Sequence, residues 1–232
     1  MELQIKDLTQ SRQWLSDSER AAISEIIKLS FSNISPDAYL AKYFDGTGTF
    51  QRKLRLYFDG VKLVGYCLLT FSHESRTIVI RASAGFFPEH RKGGNTFKFS
   101  ISESFKCWLR RPWRKIYYAD SMLSPAMYRA IAKNIGIIWP HPNHPVPDNI
   151  FQKFNSNGEV SSKVGLRCLI HVGRASNYSE SELEGFKSSD KLEIQYYRSL
   201  NPDFNNGVAL FVIIPIHFRQ FIKTAFNKFS AR

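Results

Sequence analysis

Hydrophobic and polar positions along this chain change rhythm several times, and each change marks an element. Ser16-Asp17-Ser18-Glu19 fits a capping box, and Ile23, Ile26, Ile27, Phe31 and Ile34 after it fall at spacings that line one helical face. Ser35-Pro36-Asp37 restarts the pattern, with Tyr39, Leu40, Tyr43 and Phe44 forming a second helical face that ends at Asp45-Gly46-Thr47-Gly48. Residues 53–58 alternate charged and apolar side chains, Asp59-Gly60 supplies a two-residue hairpin signal, and 62–71 is β-rich again, so an antiparallel hairpin is expected. A third strand is expected over 77–86, then a helix over 96–111 with Phe97, Ile101, Phe105, Trp108 and Leu109 on one stripe and Pro112 as its stop.

Residues 115–120 read as a short strand, and Ser124-Pro125 as the cap and first residue of a helix reaching about residue 135. Strand, crossover helix and strand imply a parallel pair. Added to the hairpin, this makes a mixed α/β sheet flanked by helices. Pro140, Pro142, Pro145 and Pro147 then make 139–148 an extended connection poor in ladder bonds, and His141 and His144 within it read as solvated loop histidines. Residues 166–172 are strand-like, 173–187 polar and partly acidic, and 192–200 a short helix. The apolar run 208–216 has the character of a strand buried on both faces, with Pro215 placing its end outside the ladder. A closing helix carries Phe218, Phe221, Ile222, Ala225 and Phe229 on the face expected to pack on the domain.

One loop stands out chemically. Phe86-Phe87-Pro88-Glu89-His90-Arg91-Lys92-Gly93-Gly94-Asn95-Thr96 joins a strand to a helix start, and it is basic and glycine-bearing. Free backbone N–H groups in a first helical turn, backed by the helix dipole, bind an anion without a particular side chain, and glycines let it come close. This is the layout of a phosphate cradle.

Charge fits that reading without choosing the anion. Lys and Arg outnumber Asp and Glu by 32 to 20 in 232 residues, a formal net charge of +12 that favours anionic ligands or partners. Nucleic acid, an acidic membrane surface, an acidic protein such as an acyl carrier, and a phosphorylated cofactor all qualify. With 43% hydrophobic residues the chain can supply a real core. Its longest apolar run is too short to span a bilayer, and the first residues lack an apolar core of signal-peptide length, so a cytoplasmic protein is expected. Cys67, Cys107 and Cys168 are far apart in apolar runs and read as buried free thiols; no metal site is expected.

The order of elements resembles the GNAT superfamily of acyl-CoA-dependent N-acyltransferases. The family's loop motif is Arg or Gln, two free positions, Gly, one free position, then Gly or Ala. Arg91-Lys92-Gly93-Gly94-Asn95-Thr96 matches it with Thr last, preceded by Pro88-Glu89-His90 as is common in the family. The resemblance covers about residues 23–138. It implies a mostly antiparallel central sheet with one splayed parallel strand pair, plus a C-terminal elaboration here. The expected division is 1–139 as acyl-CoA-binding core, 140–149 as Pro-rich connection, and 150–232 completing the sheet with inserted helices.

The resemblance also implies a function: transfer of an acetyl or longer acyl group from acyl-CoA to an amine by direct attack. The co-substrate would be held by Phe86, Phe87, Arg91, Lys92, Gly93, Gly94, Asn95 and Thr96, with a backbone N–H near Phe86 or Phe87 polarising the thioester carbonyl. Tyr128, after the short strand, matches the tyrosine that protonates the departing thiolate in family members, while Glu89 and Asp120 are the candidate bases. Gly136 lies eight residues after Tyr128, where the family's Gly follows by four, so the exit of that helix differs. The acceptor amine is unknown. Two other readings stand beside this one: an acyltransferase of the same fold fed by acyl carrier protein, and a basic nucleic-acid-binding module without catalysis, for which no recognition motif is evident. A peripheral membrane contact through the last helix is also compatible.

Overall fold

The computed structural model describes residues 3–74, 76–91 and 95–230, apart from the side chains of Asn95 and 227–230. In chain order the elements are β1 (Gln4–Thr9), α1 (Asp17–Ser30), β2 (Phe31–Ser32), α2 (Pro36–Leu40), β3 (Thr49–Asp59), β4 (Lys62–Glu74), β5 (Thr77–Phe86), α3 (Asn95–Arg110), β6 (Lys115–Met122), α4 (Pro125–Ala132) and α5 (Ile150–Phe154). There follow β7 (Glu159–Ser161), β8 (Leu166–His171), β9 (Ala175–Ser176), α6 (Glu180–Lys187), α7 (Leu192–Leu200), β10 (Val208–Ile216) and α8 (Phe218–Ser230). Eight strands form one sheet in the order β1-β3-β4-β5-β6-β10-β8-β7. Every pairing in it is antiparallel except β5 with β6.

Why the central strands read as continuous apolar runs is plain from their two faces. On β4, Tyr66 and Leu68 are buried with Ile23, Ile26 and Ile27 of α1 on one side, while Cys67 and Leu69 belong to the cluster that includes Phe99 of α3 on the other. A strand buried on both faces loses the alternation of a half-exposed one. The capping box at Ser16 and Glu19 forms as the sequence requires, and so does the Ser124 cap, whose Oγ accepts from the Met127 N–H at 3.3 Å. All three cysteines are buried and free.

Three expectations need correction, and one strand lies where none was expected. The edge strand β1 lacks a strong pattern and went unpredicted; its Ile5 is exposed and its register with β3 leaves only Leu8 in the core. Pro215 lies inside the ladder, opposite Tyr117. The reason is visible two residues earlier, where Ile213 exchanges both backbone bonds with Trp139 on the side away from β6. Residue 215 faces the same way, so the missing N–H costs no bond to β6. His141 and His144 are half-buried and stacked with ring centroids 4.3 Å apart, and burial with the neighbouring His144 pushes the His141 pKa down to about 4. Finally, α8 buries only part of its expected stripe: Phe221 packs on the core against Phe105 and Trp108, while the Phe229 side chain lies outside the described residues. Gln220 and Thr224 face inward, while Phe218, Ile222 and Phe226 are exposed.

The inward face of α8 explains Gly136. Its N–H donates to Thr224 Oγ1 at 3.0 Å, and Gln220 Nε2 donates to the Ile137 carbonyl at 2.8 Å. A Cβ at residue 136 would come within 2.4 Å of Lys223 Cβ and 3.0 Å of the Thr224 nitrogen, both on the helix. The chain leaving α4 is thus docked directly on helix backbone. Gly136→Ala is expected to lower the unfolding free energy by about 1–3 kcal/mol in urea denaturation, the usual cost of overpacking; an unchanged midpoint would show that α8 is not seated there.

Candidate active site

β5 and β6 are in register only from Thr77 to Ile80, opposite Lys115 to Tyr118. Beyond that point β5 stays paired with β4 as far as Phe86, and β6 stays paired with β10 as far as Met122. Two strands each held by an outer neighbour must therefore part. The opening holds a buried carboxylate and lies beside two cavities.

At the apex sits Asp120. It is 9% exposed; Oδ2 accepts from the Ala82 N–H across the gap at 3.1 Å and from the Tyr118 hydroxyl at 3.3 Å, and Oδ1 accepts from the Ser121 N–H at 2.9 Å. Burial pushes its pKa up to about 6, against the pull of those two N–H groups and the nearby charges of Arg174 and Arg81. The carboxylate is thus mostly ionised at neutral pH and able to take a proton.

The Ala82 bond also fixes which backbone amides face the opening. N–H directions alternate along a strand, so Ala84 and Phe86 present theirs to the gap, while Ser83 and Gly85 point toward β4. Phe87 continues this alternation, its N–H donating to the Val64 carbonyl at 3.0 Å. Of the two expected carbonyl-polarising donors, Phe86 turns its N–H to the gap, whereas the N–H of Phe87 is taken by the Val64 carbonyl. Phe86 itself is held by Gly65: a Cβ there would lie 2.1 Å from the Phe86 ring.

A cavity of about 500 Å³ opens on one side of the gap, with Ala84, Gly85 and Phe86 on one wall and α4 on another. Arg91 and Thr96 line its mouth near the start of α3. Arg91 Nη1 donates to the Asn177 carbonyl at 3.0 Å and lies 3.6 Å from Glu182. Lys92, Gly93, Gly94 and the Asn95 side chain lie outside the described residues, so the cradle is seen only at its two ends. Glu89 is on the solvent side, its side chain 60% exposed beside His90, and lines neither this cavity nor the one described below.

Tyr128 lies on α4, after β6, as the resemblance implied, but its side chain is turned away from the cavity. Its side chain is fully buried, its hydroxyl donates to the Pro140 carbonyl at 2.8 Å, and it is absent from the cavity wall. The tyrosine that does line the cavity is Tyr178. Burial raises its pKa, and its hydroxyl interacts with the Ser124 and Ser176 side chains. It arrives from the segment read as merely polar, which folds back as β9 against β2 and ties down through Asn177, whose N–H donates to the Ser30 carbonyl at 3.0 Å. A local signal was available only for the helix that follows: Ser179-Glu180-Ser181-Glu182 repeats the form of the first capping box and starts α6 the same way.

On the other side of the gap a second cavity, of about 470 Å³, is lined by Ala82, Ser83, Asp120 and Arg174, with Lys42 and Tyr43 at its edge. Consecutive stretches of β5 line the two cavities, Ala84 to Phe86 the first and Ala82 and Ser83, with Asp120, the second. A mixed, mostly antiparallel sheet with one splayed parallel pair is the arrangement that the resemblance implied.

Comparison with solved structures adds likenesses in chain path. Escherichia coli ElaA is 17% identical, covering 55% of this chain and 84% of its own, at a TM-score of 0.36. The ribosomal-protein-S18-alanine N-acetyltransferase of E. coli is 8% identical over 92% of this chain and 96% of its own, at 0.38. The NatC complex bound to Gag peptide and CoA supplies a chain 13% identical over 93% of this one and 99% of its own, at 0.41. No family model and no curated protein sequence matches the chain. Among the described residues no helix is long and apolar enough to cross a membrane.

Tyr128→Phe is expected to cost about 1–3 kcal/mol of stability by leaving the Pro140 carbonyl unsatisfied, with acyl transfer at the rate of the parent. A large fall in rate at unchanged stability would return Tyr128 to the reaction.

Proposed function

We propose that this protein transfers an acyl group from acyl-CoA to an amine, with the thioester lying in the gap between β5 and β6. The observation that carries the reading is the gap itself: free amides of Ala84 and Phe86 on one wall, a buried carboxylate at the apex, and a separate cavity on each side. Strand-edge amides pair with the amide-bearing pantetheine arm, and the start of α3 with Arg91 receives the pyrophosphate. Lys92, Gly93, Gly94, Asn95 and Thr96 complete that cradle in this proposal.

In the reaction the acceptor nitrogen attacks the thioester carbonyl carbon. The oxygen's developing charge is met by the N–H of Ala84 or Phe86. Asp120 takes the proton from nitrogen as the N–C bond forms; when the C–S bond breaks, the sulfur takes a proton from the Tyr178 hydroxyl, which recovers one through solvent. The products are an amide and CoA, with no covalent enzyme intermediate. Donor and acceptor enter from opposite sides, so the cavities need not compete for the same space.

Two features bear on the rival readings. An acyl carrier as donor would still require the gap, and its acidic surface would meet the basic rim around Arg91. A nucleic-acid module has no use for a buried carboxylate between strands.

Release of free thiol from acetyl-CoA in the presence of amines is the direct assay. Tyr178→Phe is expected to lower kcat by about 100-fold or more, the usual worth of a positioned acid. In the parent, kcat/KM is expected to fall below about pH 6 as Asp120 takes up its proton, since the carboxylate is the active form. No thermal shift with CoA or acetyl-CoA would overturn the reading, and a flat profile through pH 6 would remove Asp120 from it.

A further inference from the structure

The second cavity holds an arginine whose charge is not answered by a counter-ion. Arg174 is 8% exposed, and its guanidinium lies over three rings, 5.3 Å from the centroid of Phe31, 5.4 Å from Tyr39 and 4.9 Å from Tyr43. Its Nη1 donates to the Tyr43 hydroxyl, a neutral partner, and its Nε is buried without an acceptor. Among the described residues no carboxylate lies within 4.0 Å of it.

The other cations of the same cavity are accounted for. Arg81 pairs with Glu74 at 2.6 Å. Arg52 donates to the carbonyls of Tyr43 and Gly46 and to Gln10 Oε1. Lys42 is exposed at the rim, its Nζ 5.2 Å from the Tyr43 ring centroid. Asp120 feels the charge of Arg174 only through space, because its own oxygens are taken by Ala82, Ser121 and Tyr118. Removing an arginine from water is costly unless an anion meets it, and the planar fork of its donors suits the paired oxygens of a carboxylate or phosphate.

We propose that the acceptor is a small amine that also carries a carboxylate or phosphate, and that Arg174, helped by Lys42, holds that anionic group in the second cavity. This rests on the acyl-transfer reading above. The cavity, at about 470 Å³, has the size of a small-molecule site and not of a protein surface. Its two functional ends suit a zwitterion: the amino end, which gives up its ammonium proton to solvent before attack, goes toward Asp120 and the anion toward the aromatic-walled guanidinium. β9 supplies both sides of the reaction centre, since Arg174 just before it lines the acceptor cavity and Ser176 at its end lines the donor cavity. Seating the anion therefore also stiffens the segment that delivers Tyr178.

The test pairs charged amines with neutral counterparts: β-alanine against β-alaninamide, and phosphoethanolamine against ethanolamine, each with acetyl-CoA. At least one charged member should be acylated with kcat/KM about tenfold or more above its counterpart, and which one it is separates carboxylate from phosphate. Arg174→Gln should abolish that preference through KM for the amine, leaving KM for acetyl-CoA unchanged. Arg174→Lys, which keeps charge but loses the fork, should retain part of it, and this variant serves if Arg174→Gln does not fold. Independently of turnover, succinate or inorganic phosphate alone should raise the Tm of the parent and not of Arg174→Gln. Equal use of charged and neutral amines by a protein that binds acetyl-CoA and releases its thiol would overturn the anionic acceptor while leaving acyl transfer intact. Failure to bind acetyl-CoA would overturn both.

Discussion

The bond from the Ala82 N–H to the Asp120 carboxylate holds together the part of the molecule on which everything else depends. Parallel strands that separate leave backbone groups unpaired on both inner edges, and such groups are expensive when buried. Here the outer partners force the separation: β4 keeps β5 to Phe86, and β10 keeps β6 to Met122. A side chain then does for one amide what the lost ladder did, and the next two cleft-facing amides along β5, those of Ala84 and Phe86, are left available to a ligand. The same substitution places a carboxylate where water is scarce, which is why its pKa rises to about 6. Structural support and chemical readiness come from one residue.

Around that apex the C-terminal third of the chain plays a larger part than an appended domain would. β10 lies beside β6 in the middle of the sheet and supplies the outer restraint that opens the gap. The segment from Arg174 to Tyr178 crosses back over the opening to pair with β2 and reaches both cavities. Arg91, at the other end of the same wall, is tied to this segment through the Asn177 carbonyl. The walls of both cavities and the strand between them are therefore mechanically joined.

Much of this architecture was legible in the residues. Local rules sufficed where the signal was local: the Ser16 and Ser124 caps, the hairpin near Gly60, the stop at Pro112, and the doubly buried run that became β10. They failed where burial depends on distant partners. Nothing near Tyr128 reveals that the Pro140 carbonyl captures its hydroxyl, and nothing near Tyr178 reveals that its segment returns to the end of α1. The stripe of α8 obeyed helical spacing, yet Phe218 and Ile222 face solvent while Phe221 packs on the core, because Gly136 admits the helix backbone so closely that Gln220 and Thr224 occupy the interface. Asp120 is a candidate from its nearness in sequence to the loop; its buried environment, which raises its pKa, came only with the splay. Arg174 was invisible for the same reason, since an unpaired guanidinium is defined by what is missing around it.

Hydrogen–deuterium exchange across residues 82–87, with and without acetyl-CoA, reaches the central claim most directly. If the thioester arm lies along the open edge of β5, exchange at Ala84 and Phe86 slows on binding, while Ser83 and Gly85, already bonded to β4, change little. Binding of acetyl-CoA with no protection at Ala84 and Phe86 would place the ligand elsewhere and contradict the account.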